Sequence, residues 1–173
     1  MIETDRLLVE KFSVEDAAFV LELLNTPNWL QFIGDRNVRT LDEAKQYILN
    51  GPLKSYEQFG FGPYLVKLKS HAISIGLCGL HKREKLNDID IGFAFLPDYA
   101  GKGYGYEAAS AVMNYGATVL GLTRVTGITK PTNHNSIRLL EKLGLQFEKR
   151  INFSADGKES LLFGKVLGET NPV

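Results

Sequence analysis

The stretch Phe93-Ala-Phe-Leu-Pro-Asp-Tyr-Ala-Gly-Lys-Gly-Tyr-Gly-Tyr-Glu-Ala108 decides the fold and carries most of the functional information in this chain. An apolar strand ends at a proline, and a glycine-rich turn then opens a nearly uncharged helix. Glycines at 101, 103 and 105 remove the Cβ atoms that would keep a ligand away from the backbone. The first turn of the helix presents unpaired N–H groups and the positive end of the helix dipole. The pattern therefore predicts a phosphate site.

Two common phosphate-binding loops do not fit this turn. The P-loop requires Gly-Lys followed by Ser or Thr, whereas Lys102 is followed by Gly103. The dinucleotide fingerprint, counted from Gly103, ends on Ala108 instead of a glycine. The strand predicted at 124–129 also lacks the acidic residue that such domains place at its end. A nucleotide-binding redox domain is therefore the weaker alternative.

The turn and two further segments resemble the GCN5-related N-acetyltransferase (GNAT) superfamily. Gly103-Tyr-Gly105 is similar to the (Gln/Arg)-x-x-Gly-x-(Gly/Ala) motif with which that superfamily binds the pyrophosphate of acetyl-coenzyme A. Asn133-His-Asn-Ser-Ile-Arg-Leu-Leu-Glu-Lys-Leu-Gly-Leu145 resembles its second coenzyme A motif, in the form found in the branch that includes the ribosomal-protein N-terminal acetyltransferases. Glu3-Thr-Asp-Arg-Leu-Leu-Val-Glu10 is similar to the opening strand of that branch. The resemblance covers nearly the whole chain.

Composition limits the class of protein. The chain has 173 residues, enough for one domain with a substantial core. Its 20 basic and 20 acidic side chains cancel, so neither nucleic acid nor a membrane is expected as a partner. A single cysteine, Cys78, excludes an internal disulfide and a cysteine zinc cluster, and no metal is expected. Because no apolar run approaches the ~20 residues of a membrane span, the predicted location is the cytoplasm.

Periodicity predicts an α/β (α+β) fold in one domain, residues 1–168, with 169–173 as a C-terminal tail. The predicted strands are 6–12, 61–68, 72–80, 88–96, 124–129, 145–151 and 160–167. The predicted helices begin at Ser13, at Thr40, at Gly103 and near Asn133 or Asn135. Gly51-Pro52 is expected to end the second helix. The order indicates a mixed, mostly antiparallel central sheet of about seven strands flanked by about four helices. The GNAT acyl-CoA N-acyltransferase fold has this architecture.

The resemblance implies acetyl-coenzyme A as cosubstrate. Strand 88–96 stops at Pro97, which has no N–H, so backbone groups near its end are expected to be free. In similar proteins that strand separates from the next one and its backbone holds the pantetheine arm. Lys102 could equally be solvated surface, Asn133 could cap its helix, and the Gln/Arg position of the motif falls on Ala100. The residues implied to bind the coenzyme are Phe93, Ala94, Phe95, Gly101, Lys102, Gly103, Tyr104, Gly105, Tyr106 and Asn133.

Acetyl transfer to an amine also needs a base for the amine proton and an acid for the departing thiolate. Many relatives place a tyrosine acid seven residues after the asparagine of the second motif, and that position is Leu140 here. Ser136 is therefore the candidate acid, with helix capping as the other interpretation. Asp90 is the candidate base, with Glu107 and His81 as rivals.

The predicted function is direct transfer of an acetyl group from acetyl-coenzyme A to the primary amine of a small molecule or a protein N-terminus. A non-enzymatic acyl-coenzyme A sensor is the alternative, because Ala100 and Leu140 replace two functional side chains of the superfamily. Aromatic residues are expected to line the acceptor side, although core packing explains them equally well: Trp29, Phe32, Tyr56, Phe59, Phe61 and Tyr64. The acceptor's identity and the state of assembly, including a homodimer, are left open.

Overall fold

An eight-stranded sheet runs through the computed structural model, which describes residues 1–168. Its strands are β1 (Ile2–Glu3), β2 (Leu7–Lys11), β3 (Pro63–Leu68), β4 (Ile73–His81), β5 (Asp90–Phe95), β6 (Arg124–Thr129), β7 (Gln146–Ile151) and β8 (Ser160–Val166). Their order is β1-β2-β3-β4-β5-β6-β8-β7. Neighbouring strands are antiparallel except β5 and β6, which are parallel. The mixed, mostly antiparallel sheet is confirmed, and the predicted tail, 169–173, lies outside the described residues.

Five α-helices flank the sheet, one more than the sequence indicates. They are α1 (Ala17–Leu24), α2 (Leu41–Ile48), α3 (Lys54–Phe59), α4 (Tyr104–Thr118) and α5 (His134–Lys142). The prediction that Gly51-Pro52 ends the second helix is wrong, because a π-helical turn, Leu49–Leu53, carries the backbone from α2 into α3. A wider turn relieves the clash between the proline ring and the preceding carbonyl. A second π-helical turn, Trp29–Ile33, follows α1.

The sheet separates two hydrophobic cores. Ile91 belongs to the core beneath α4 and α5, and Phe93 and Phe95 pack against it. Ala94 packs on the other face, against the core built by α1 and α2. Because side chains of a strand alternate between faces, Asp90 and Gly92 share the face of Ala94.

Strands β5 and β6 separate soon after they begin. Within residues 1–168, Asp90↔Thr126 is their single register pair, and the Thr126 amide donates to the Ile89 carbonyl at 2.9 Å. On the other side, the Leu96 amide donates to a carbonyl of β4. By alternation, the N–H and C=O groups of Phe93 and Phe95 point into the gap between β5 and β6. The free backbone edge predicted before Pro97 is therefore present.

Candidate functional site

A cleft of about 1030 Å³ opens where β5 and β6 separate. It is lined by β5, the turn after it, the first turns of α4 and α5, and the π-helical turn Trp29–Ile33. The predicted site residues that line it are Asp90, Phe93, Ala94, Phe95, Gly101, Gly103, Tyr104, Gly105, Tyr106, Asn133 and Ser136. Lys102 is instead exposed outside the cleft, with its Nζ 5.8 Å from the centroid of the Tyr99 ring.

The amino terminus of α4 is open. Its N-cap residue is Gly103, so no side chain caps the helix. The Glu107 amide donates to the Gly103 carbonyl at 3.1 Å and is the first to bond within the helix. The amides of Tyr104, Gly105 and Tyr106 come before the first hydrogen bond of the helix, so they have no partner within it and point toward its amino end. This terminus can complete its hydrogen bonding with an anion.

The glycines of this turn are explained differently from the prediction. Gly101 and Gly103 have φ angles of 72° and 83°, which L side chains rarely adopt. A Cβ on Gly103 would lie 3.2 Å from Nη2 of Arg6, and one on Gly105 would lie 3.0 Å from Cδ2 of Leu139. At Gly101 no atom lies within 4 Å of the added Cβ. An added Cβ at Gly103 or Gly105 would therefore meet another side chain of the protein. Of these three glycines, Gly101 alone has open space at that position.

Arg6 connects the glycine turn to the first turn of α4. Its Nε donates to Oε2 of Glu107 at 2.7 Å, and its Nη1 donates to the Lys102 carbonyl at 3.1 Å. Glu107 also accepts from the Thr4 hydroxyl at 2.6 Å and from the Arg6 amide at 2.9 Å. Partial burial raises the pKa of Glu107, but these hydrogen bonds outweigh burial and lower its pKa. Glu107 is thus engaged in structure and is a poor candidate for the base.

The amino terminus of α5 is closed by its own side chain. Oδ1 of Asn133 accepts a hydrogen bond from the Ser136 amide at 3.3 Å, so Asn133 caps the helix. In the part of the chain that the structure describes, the Ser136 hydroxyl has no hydrogen-bond partner. The capping role considered for Ser136 therefore belongs to Asn133. Leu140 is 1% exposed and packs against Gly127, so it is a core residue.

Three polar side chains meet at the start of β5. The Asp90 carboxylate, whose side chain is 3% exposed, accepts from Nε of Arg83 at 2.9 and 3.1 Å. His81 is the register partner of Asp90, and its ring lies over Gly92, where a Cβ would be 2.8 Å from Nε2. Burial lowers the pKa of His81 to about 4, against the opposing effect of Asp90. The imidazole is therefore neutral at neutral pH.

The predicted aromatic lining divides into two groups. Trp29 and Phe32 line the cleft, and Nε1 of Trp29 is buried without a hydrogen-bond partner among residues 1–168. Tyr56, Phe61 and Tyr64 are core residues, and Phe59 is 44% exposed. Tyr47 and Arg36 also line the cleft. Tyr47 belongs to the apolar row that predicts the second helix, and neither residue lies in a motif that marks it as part of a site.

Cys78 is fully buried in the core, and burial raises the pKa of its thiol. Among the described residues, no group of three or more His, Cys, Asp or Glu side chains is placed to hold a metal ion. Over the same residues, no helix has the length and apolar character needed to cross a membrane.

Comparison with known proteins identifies the family. The family model for the acetyltransferase (GNAT) domain matches residues 6–146. The chain belongs to the GNAT family. This acetyltransferase is 31% identical over 147 residues to the uncharacterized N-acetyltransferase YnaD of Bacillus subtilis (strain 168). The aligned region covers 85% of this chain and 83% of YnaD. The predicted enzyme class, an N-acetyltransferase, is confirmed, and the redox-domain alternative is excluded.

Solved structures confirm the GNAT fold. A GNAT-family acetyltransferase from Bacillus anthracis superposes with a TM-score of 0.80 at 25% identity, covering 97% of this chain and 99% of that one. RimL, a ribosomal L7/L12 alpha-N-protein acetyltransferase in complex with coenzyme A, superposes with a TM-score of 0.81 at 15% identity, covering 94% and 95%. At that identity the second match establishes the fold alone.

The charges of the cleft lining suit the phosphates of coenzyme A. Within residues 1–168 the lining has one acidic residue, Asp90, although the whole chain carries no net charge. The basic residues that line it are Arg36, Lys82, Arg83, Lys130, Arg138 and Lys142. Coenzyme A carries a pyrophosphate and a further phosphate, and such a lining attracts these anions. The uncapped amides of α4 and the open backbone edge of β5 offer further hydrogen-bonding groups in the same cleft.

Proposed function

We propose that this acetyltransferase binds acetyl-coenzyme A between β5 and β6 and transfers the acetyl group directly to a primary amine of a small molecule or a protein N-terminus. The observation that carries the proposal is the uncapped amino terminus of α4, which follows the open edge of β5. Acetyl-coenzyme A supplies an acyl group that is already activated as a thioester. The chain has to bind it, exclude water and move two protons.

The backbone does most of the proposed binding. The amides of Tyr104, Gly105 and Tyr106 bind the pyrophosphate, because they face the cleft and lie before the helical ladder. The backbone groups of Phe93 and Phe95 bind the amides of the pantetheine arm. Ala94 faces away from that arm, since its side chain packs on the core of α1 and α2, and it borders the acceptor instead.

Side chains contribute less to coenzyme binding. Asn133 uses its Oδ1 for the helix cap, so its amide nitrogen is the atom left for the pantetheine arm. Gly101 provides open space beside the turn. Lys102 lies outside the cleft and acts on the phosphates through its charge alone, which solvent and salt screen.

The chemical step requires balanced proton movements. The amine nitrogen bonds to the carbonyl carbon as the carbon–sulfur bond breaks, the amine loses one proton, and the thiolate gains one. We assign proton donation to the Ser136 hydroxyl, which lines the cleft and is not used in capping. At the other end, His81 and Asp90 share one face of the sheet. Sequence analysis favours Asp90 as the base, but its carboxylate is held by Arg83, so we assign the amine proton to the neutral imidazole of His81. Burial makes this imidazole a weak base, and the neighbouring carboxylate of Asp90 raises its pKa and stabilises the cation that forms.

The test is a thiol-release assay with acetyl-coenzyme A and a panel of amines and peptides, with the products identified by mass spectrometry. The proposal predicts free thiol and acetylated amine in equal amounts. It also predicts a thermal shift, since a ligand at 100 times its Kd stabilises the fold by ~2.7 kcal/mol. A protein that shows the thermal shift but acetylates no amine would instead be an acyl-coenzyme A sensor.

The assignment of the base can be tested separately. His81→Gln should lower kcat about 100-fold or more, because a general base contributes ~10² to 10⁴ in rate, while the Kd for acetyl-coenzyme A stays unchanged. If His81→Gln keeps its kcat and Asp90→Asn loses it, Asp90 is itself the base.

The pH dependence of the free energy of unfolding tests whether folding lowers the pKa of His81. The folded pKa of His81 is about 4, below the usual 6.5. Between these two values the unfolded chain binds the extra proton more readily, so this histidine destabilises the fold as pH falls from 6.5 to 4. His81→Gln should reduce that loss of stability, and an unchanged pH dependence would contradict the lowered pKa of the imidazole.

A further inference from the structure

The acceptor side of the cleft has positive charge that no carboxylate offsets. This side is formed by the segment from Thr26 to Ser55 together with the face of β5 that carries Asp90. In that segment Arg36 is the one charged residue among those that line the cleft, within the described chain. The adjacent acid, Asp35, is not available to it, because it pairs with Nη2 of Arg39 at 2.6 Å.

The opposite wall adds no negative charge. Asp90 is the sole acidic lining residue in the described chain, and its carboxylate is paired with Arg83 at 2.9 Å. Beside it, Nζ of Lys82 donates to the Asn87 carbonyl at 3.3 Å. A second ammonium group on the acceptor would therefore meet repulsion and find no partner.

Arg36 and Lys82 lie apart from the basic residues that suit the phosphates of the coenzyme. Arg138 and Lys142 are on α5, and Nζ of Lys142 lies 4.4 Å from the centroid of the Tyr106 ring beside the α4 terminus. Lys82 lies next to the start of β5, at the far end from that terminus, and six strand residues span ~17 Å. Arg36 belongs to the layer of α1 and α2 on the other face.

Apolar surface and a free donor complete the pocket. The rings of Trp29, Phe32 and Tyr47 line it. The buried Nε1–H of Trp29 has no acceptor within residues 1–168, and a buried donor without a partner is costly. The pocket therefore offers flat apolar surface and donors, and its free charges are positive.

We infer that the acceptor is a small amino carboxylate with an apolar side chain, whose carboxylate binds Arg36. This inference rests on the proposed acetyl transfer and narrows it to one substrate class. It argues against polyamines, whose additional cations would lie against Arg36 and Lys82. A peptide whose N-terminal region carries an acidic side chain shares the charge pattern and is an arm of the test.

The experiment compares matched acceptors on the wild-type enzyme, Arg36→Gln and Arg36→Glu. Phenylalanine and phenylalanine amide have the same shape and differ in the carboxylate, and spermidine and the dipeptides Gly-Glu and Gly-Gln test the alternatives. Each KM is read as the ratio of variant to wild type for the same acceptor, so differences in amine pKa cancel. Arg36→Gln should raise KM for phenylalanine about tenfold, the effect of losing one charged hydrogen bond, and leave KM for the amide unchanged. Arg36→Glu should raise the KM for phenylalanine further.

Lys45→Gln is the matched control, because Lys45 is an exposed cation of α2 that does not line the cleft, and its removal leaves the pair between Asp35 and Arg39 intact. It should leave the preference unchanged. The inference is overturned if Arg36→Gln raises KM for phenylalanine and for phenylalanine amide equally, or if spermidine is the preferred acceptor. It is also overturned if the wild-type enzyme prefers Gly-Glu to Gly-Gln but does not prefer phenylalanine to its amide. So would a weaker Kd for acetyl-coenzyme A in Arg36→Gln, which would assign this arginine to the phosphates. No turnover with any amine would overturn the proposed function itself.

Discussion

Two helices begin at the cleft, and their first turns are built in opposite ways. The α4 helix begins after Gly103, which has no side chain, so the amides from Tyr104 onward have no cap. The α5 helix begins after Asn133, whose Oδ1 accepts from the Ser136 amide at 3.3 Å. An amide that is already capped can bind a ligand only by losing its partner, whereas an uncapped amide gains one. The open terminus therefore suits a phosphate, and the closed terminus presents side chains.

Arg6 supports the open terminus through several contacts. Arg6 donates to both Glu107 and the Lys102 carbonyl, and its guanidinium carbon lies 4.4 Å from the centroid of the Tyr104 ring. These contacts fix the turn from the side away from the cleft. A phosphate site that is ordered before the ligand arrives loses less entropy on binding.

The largest effect is expected at the closed terminus, where chemistry depends on one hydroxyl. Ser136→Ala should lower kcat about 100-fold, because it removes the proposed donor to the thiolate. The melting temperature and the Kd for acetyl-coenzyme A should not change, since Asn133 carries the cap. Ser136→Thr keeps a hydroxyl and serves as the control. Full activity in Ser136→Ala, under conditions where chemistry limits the rate, would leave water as the donor.

The second prediction concerns the open terminus. Ala100 lines the cleft next to Gly101 and has an ordinary φ of −72°, so a larger side chain fits without backbone strain. Ala100→Glu should raise the Kd for acetyl-coenzyme A about tenfold, since a carboxylate ~5 Å from a phosphate costs on the order of 1.5 kcal/mol at an intermediate dielectric. Ala100→Gln, of similar size and uncharged, should bind at least as well as wild type. Calorimetry measures both, and equal Kd values would mean that the phosphate lies elsewhere.

The smallest effect is expected from removing the α5 cap. Asn133→Ala should lower the free energy of unfolding by about 1 kcal/mol, as other N-cap substitutions do. Its effect on the Kd for acetyl-coenzyme A should be below that of Ala100→Glu, because the side chain offers the ligand a single amide. Denaturant unfolding and calorimetry on one preparation give both quantities. A larger loss of coenzyme binding than of stability would reverse the roles of the two termini.

The sequence predicts most of the fold because its signals are local. The predicted strand 124–129 has the bounds that the structure shows, since β-branched residues fill it and a glycine precedes it at Gly121. The helix stop at Gly51-Pro52 was wrong because a π-helical turn accommodates proline, and such a turn has no sequence signature. The open edge of β5 was predictable from Pro97, which cannot donate to a neighbouring strand.

The chemistry of the site was less accessible, because it depends on long-range contacts. Asp90 was identified on its strand, but its partner Arg83 lies in the preceding loop and follows no period. The choice between Asn133 and Ser136 as cap is a choice between two helix starts three residues apart, and sequence patterns do not fix helix boundaries that closely. The role of Arg6 was hidden because Glu107 lies far from it in sequence, and only the resemblance of the opening segment drew attention to it.

The central claim is that the uncapped amides of α4, and not those of α5, receive the phosphates of the coenzyme. A titration of the isotope-labelled protein with coenzyme A, followed by amide NMR, measures both termini in one experiment. The account predicts the largest shifts at the amides of Tyr104, Gly105 and Tyr106, with a smaller change at the Ser136 amide as its cap is retained. Larger shifts at Ser136, with the α4 amides unmoved at saturation, would contradict it.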